Sequence, residues 1–105
     1  MIHIALHFIV PLVIALVFFR SQWKAAFAIM MLTMVVDVDH LLADPVYDPG
    51  RCSIGFHPLH RLFIIPLYVL LCFFPKTRLA GLGLTVHMVL DSVDCQFTNG
   101  VWFQP

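Results

Sequence analysis

Ala25-Ala26-Phe27-Ala28-Ile29-Met30-Met31-Leu32-Thr33-Met34-Val35-Val36 runs directly into Asp37-Val38-Asp39-His40. Thr33 is the only polar residue of the apolar run. A run of this kind is a helix that buries or faces apolar surroundings on all sides. A carboxylate there is expensive: at a helix centre in lipid it costs at least about 2.5 kcal/mol. Two carboxylates beside an imidazole need a compensating group. Asp and neutral His are ligands for Zn²⁺, Mn²⁺ or Fe²⁺, and a divalent cation would satisfy them.

The composition places this helix in a membrane. Of 105 residues, 61 % are hydrophobic and 11 % charged, where a soluble domain carries about 25 % charged residues. The mean hydropathy is +0.94. So little charge cannot coat a water-facing surface, and the chain reads as a single integral membrane domain over residues 1–105. The formal net charge is zero, which excludes a basic footprint for nucleic acid. All six acidic residues are Asp, and the six His equal Lys and Arg together.

Four apolar segments are expected as helices, at about 2–19, 23–42, 57–74 and 79–97. An open sheet would leave unpaired edges in lipid, so the fold class is all-α: a four-helix transmembrane bundle running up-down-up-down. The third segment is short for a span of about 20 residues. Pro45, Pro49 and Gly50 break the chain between the second and third segments. The first lacks a basic flank and a small-residue cleavage site, so it is expected to be retained. Arg20, Lys24, Lys76 and Arg78 lie in the tight turns, against Arg51 and Arg61 on the other side. The excess puts the turns in the cytoplasm and both termini outside it. Cys52, Cys72 and Cys95 show no C-x-x-C spacing and read as small apolar fillers, with no disulfide expected.

On this topology every His and Asp comes to one side. His3 and His7 share a face of the first helix; His3 reads as an interfacial imidazole and His7 as a ligand. Pro11 has no N–H to give the His7 carbonyl and bends the helix there. Asp37 and His40 share a face of the second helix. Asp39 points about 160° away from Asp37, so it faces a second cation or partner, or the helix unwinds near Val38. Pro58 suits the first turn of a third helix, with His57 and His60 on either side of it and Arg61 as a bidentate clamp for an anion. His87, Asp91 and Asp94 form one stripe at i, i+4 and i+7, with Gly81 and Gly83 before it to allow close helix contact.

These residues resemble the membrane-bound metal-dependent hydrolases of the YdjM-like type. His7 stands for that family's early His, Asp37-Val38-Asp39-His40 for its D-x-D-H and His87-Met88-Val89-Leu90-Asp91 for its H-x3-D. The stretch from Thr98 through Gly100, Trp102 and Phe103 to Pro105 looks like its tail. His57-Pro58-Leu59-His60-Arg61 departs from the family's H-R-G-x-T-H, with two residues between the His instead of four. It leaves open which His is the ligand. Asp94 stands where the family tends to have Thr. The resemblance implies a bacterial inner membrane as the location.

The resulting expectation is a membrane-embedded hydrolase with a divalent metal: zinc, or else Mn or Fe, with one or two ions. Its ligands would come from His7, Asp37, Asp39, His40, His57, His60, His87 and Asp91. Asp94 (or Asp39) would act as general base and Arg61 as anion holder. The partner would be a membrane lipid or other amphiphile with a phosphoester or ester head. The rival is a metal-binding or metal-transporting membrane protein without hydrolase activity.

Overall fold

Helix α1 (Ile2–Phe18) runs from the N-terminus with Pro11 inside it. The computed structural model describes residues 2–42, 52, 54 and 58–103, leaving aside the side chains of residues 2–4 and 37–41. A single 3-10 turn, Arg20–Gln22, links α1 to α2 (Trp23–Leu32). The second apolar segment then changes winding. Thr33–Leu42 continues as a 3-10 helix. Thr33 is the switch: its Oγ1 donates to the Met30 carbonyl, which competes with regular helical bonding at the last turn of α2. The β-branched Val35 and Val36 that follow are stiff at χ1 and favour α-helix less. At about 2.0 Å per residue the 3-10 stretch reaches further than an α-helix of the same length.

The expected third helix, 57–74, is corrected to a shorter one. Pro58–His60 forms an isolated 3-10 turn, and α3 covers only Ile65–Leu71. Pro66 sits in the first turn of α3, where its missing N–H is harmless, and it disfavours a helix arriving from upstream. Thr77 Oγ1 donates to the Leu71 carbonyl at 2.8 Å and Arg78 Nε to the Cys72 carbonyl at 3.0 Å. These bonds satisfy helix-end carbonyls and turn the chain into α4 (Arg78–Asn99). Gly100, at φ 75°, ends α4 in the left-handed conformation, its N–H reaching the Gln96 carbonyl at 2.9 Å.

Among the described residues the protein is all-helical, without strands, and has four α-helices. Helix α4 packs against α1, α2, α3 and the 3-10 stretch Thr33–Leu42. Gly81 and Gly83 permit these approaches. A Cβ at Gly81 would stand 2.7–2.9 Å from Leu71 and Cys72 atoms, and one at Gly83 3.0 Å from the Met30 Cα. Gly81→Val should therefore destabilise the bundle by about 1–3 kcal/mol through overpacking. Ala25→Val, on an exposed position of α2, should stay within about 0.5 kcal/mol; thermal melts in detergent compare the two.

Two further findings bear on the transmembrane and cysteine expectations. Among the described residues no single helix is long and apolar enough to cross a membrane. The pair Ala5–Phe18 and Arg20–Val36 passes jointly, bent by 118° at its break. The causes are local: α2 gives way at Thr33, α3 has 7 residues, and α4 carries His87, Asp91 and Asp94. The cysteine reading is overturned, because Cys52 and Cys95 form a disulfide with Cα atoms 4.9 Å apart. Cys72 remains a free thiol. The disulfide sits in an apolar cluster with Val36, Ile54, Tyr68 and Met88.

Candidate metal centre

Three elements deliver polar side chains to one buried point. Helix α1 supplies His7, the turn Pro58–His60 supplies His60, and α4 supplies His87 and Asp91. All four are buried, and His60 is fully so. The i, i+4 spacing on α4 aims His87 and Asp91 the same way, and α1 and the turn approach that face.

The Asp91 carboxylate is the hub. Its Oδ1 lies 3.1 Å from His7 Nε2, and its Oδ2 lies 3.0 Å from His60 Nε2 and 3.1 Å from His87 Nε2. The His60 and His87 Nε2 atoms are 3.2 Å apart. The His7 and His87 rings meet edge to face, with centroids 4.6 Å apart. Every imidazole thus turns the same nitrogen to the centre.

Met34 fixes the chemistry of one ring. Its Sδ lies 3.3 Å from His87 Nδ1. A thioether accepts a hydrogen bond and cannot donate one, so this contact is served by a proton on Nδ1. In that tautomer the Nε2 lone pair of neutral His87 faces an anionic carboxylate oxygen 3.1 Å away, whereas a proton on Nε2 would be donated to it. Two electron-rich atoms at that distance repel unless a second proton or a cation lies between them. A metal ion removes the conflict, and a partner on the outer nitrogen is the usual arrangement for a ligating His.

The spacing suits such an ion. Tetrahedral zinc with bonds of about 2.0–2.1 Å separates neighbouring ligand atoms by about 3.3 Å. The separations above, 3.0–3.2 Å, are slightly tighter. His7, His87 and Asp91 offer ligand atoms all within 4.8 Å of one another and could hold a metal ion. His60 Nε2 lies near Asp91 and His87 but outside this group of three.

The remaining residues singled out in the sequence divide by location. Asp94 is half-buried on α4, one turn beyond Asp91, and Arg61 is exposed directly after His60. The backbone of Asp37, Asp39 and His40 lies in the 3-10 stretch that packs on α4 and on the turn Pro58–His60. The side chains of Asp37, Asp39, His40 and His3, and the whole of His57, lie outside the described residues. Sequence reasoning passed over Met34 and Tyr68. Tyr68 was detectable: a hydroxyl inside an apolar helix needs a partner, and it donates to the Leu59 carbonyl at 2.8 Å.

Fold and site together define a small all-helical protein with a buried His/Asp cluster able to hold a metal ion. The chain belongs to DUF6122, a family of unknown function whose model matches residues 1–98. No curated protein and no solved structure matches it.

Proposed function

We propose that this chain is a membrane-embedded metalloprotein holding a zinc-type divalent ion between His7, His60, His87 and Asp91. The observation that carries the reading is the convergence of His7, His60 and His87 Nε2 on the buried Asp91 carboxylate at 3.0–3.1 Å, with His7, His87 and Asp91 offering ligand atoms within 4.8 Å of one another. Borderline nitrogen ligands with one carboxylate favour zinc over magnesium or calcium.

Two features support the membrane setting. Large apolar side chains are exposed on every α-helix, among them Ile9, Leu32, Leu67 and Phe97, as suits surfaces that face lipid. The Cys52–Cys95 disulfide belongs in an oxidising compartment. It lies on the helix that carries Asp91, in accord with a site facing away from the cytoplasm.

Hydrolysis of a lipid-like ester or phosphoester is the second reading, in line with the YdjM-like resemblance. It is favoured by Arg61 and Asp94, which flank His60 and Asp91 in sequence. Arg61 would hold an anionic head group and Asp94 would take a proton from the attacking water. A bound divalent ion would supply Lewis-acid polarisation of the scissile bond. A cavity of about 230 Å³, lined by Leu62, Met88, Val89, Trp102 and Phe103 among others, would accept an apolar chain. Met88 directly follows His87 on α4.

Purified protein should carry about one equivalent of a transition metal, and Zn²⁺ should raise its melting temperature. A metal-free protein with no thermal response to Zn²⁺ or Mn²⁺ would remove the metalloprotein reading. Lipid extracts incubated with metal-loaded protein, followed by mass spectrometry, separate the two functions. Consumption of a lipid, abolished by Asp94→Asn with metal retained, supports the hydrolase. Metal bound with no lipid consumed leaves metal binding alone.

A further inference from the structure

We propose that the Cys52–Cys95 disulfide and the Tyr68 hydroxyl are positioning groups for His60, so that the fourth ligand is delivered to the metal centre only in the oxidised chain. The inference rests on the metal-site reading above.

His60 is the ligand with the weakest local support. His7, His87 and Asp91 stand on α-helices of 17 and 22 residues. His60 ends an isolated 3-10 turn of 3 residues, and such a turn has little stability of its own. Yet its ring is fully buried, and its Nε2 stands 3.0 Å from Asp91 and 3.2 Å from His87. Something outside the turn must hold it there.

Two links do so from opposite sides. From α3, Tyr68 Oη donates to the carbonyl of Leu59, the residue before His60, at 2.8 Å. From α4, Cys95 bonds to Cys52, which lies upstream of the turn. Cys95 follows Asp91 by one helical turn, about 6 Å along the same face. The tether therefore anchors the incoming chain beside the carboxylate that His60 must reach. Leu59 packs on the cluster that contains Cys52, Tyr68, Met88 and Cys95, which joins the two links into one support. The disulfide joins positions 43 residues apart; without it, binding of His60 must itself supply more of the ordering entropy of the turn.

The test uses the full chain in detergent micelles, with Co²⁺ as the spectroscopic probe and Zn²⁺ in competition. The paired variant Cys52→Ser/Cys95→Ser should bind Co²⁺ about 10–100-fold more weakly, the range for loss of groups that orient a ligand. Its visible Co²⁺ absorption should change in the same way as that of His60→Ala. Tyr68→Phe, which keeps the disulfide, should shift affinity in the same direction by a smaller factor. In a His60→Ala background these substitutions should leave Co²⁺ affinity unchanged, although the cysteine pair would still lower the melting temperature. An equal loss of affinity with and without His60 would overturn the proposal, because it would mark general destabilisation. So would unchanged Co²⁺ binding and spectrum in both variants. If the wild type binds neither Co²⁺ nor Zn²⁺, the metal-site reading falls, and this inference falls with it.

Discussion

On the proposed metal reading, Asp91→Asn should lose the bound ion and lower stability more than any other single change on α4. Structural zinc contributes about 10–16 kcal/mol in small metallo-domains, so one ligand of four is worth about 3 kcal/mol, or about a hundredfold in affinity. The carboxylate also meets His7, His60 and His87 at 3.0–3.1 Å. Removing one partner of a buried ionic cluster costs about 3–5 kcal/mol, because the groups left behind stay desolvated. Metal content by mass spectrometry and melting in detergent, with and without added Zn²⁺, report both losses. Asp94→Asn is the matched control: it lies one turn further along α4 and is half-buried, so the metal should stay. Metal retained at wild-type affinity in Asp91→Asn would remove the hub from the site.

What could be read in the sequence followed from local rules. The spacing of His87 and Asp91 on an apolar helix needs only helical periodicity to put both on one face. Gly81 and Gly83 marked the close approaches, and four apolar segments marked the helices. What could not be read depends on partners distant in sequence. Cys52 and Cys95 are 43 residues apart, and no spacing rule pairs a loop cysteine with one on a helix. The change of winding at Thr33 involves a hydroxyl turned back onto the Met30 carbonyl, one of several orientations open to a threonine in a helix. The shortening of the third helix had a visible cause in Pro66, but the apolar run around it masked the break. Met34 looked like ordinary filling; its role exists only because α4 brings His87 Nδ1 to its sulfur.

Ile9→Arg should distinguish a lipid environment from water with the opposite of a surface mutation's usual effect. Ile9 lies mid-way along α1 and is 53 % exposed. It is two residues from His7, so its side chain points about 160° away from the metal centre. In water, an arginine at an exposed helical position with no special contact shifts stability by no more than about 0.5 kcal/mol. In a bilayer the same guanidinium at a helix centre costs about 2.5–3.5 kcal/mol on the most lenient scale. Snorkelling helps least at mid-helix, where the route to either interface is longest. The expected result is that Ile9→Arg largely leaves the carbonate-resistant membrane fraction, whereas Gln22→Arg, at the turn between α1 and α2, stays in it. Orientation follows from the same preparation, since a cysteine placed at position 22 should resist labelling from outside intact cells and one at position 104 should accept it. If Ile9→Arg remains folded and distributes like the wild type, the exposed apolar side chains face something other than lipid, and the lipid-like substrate proposed above fails with it.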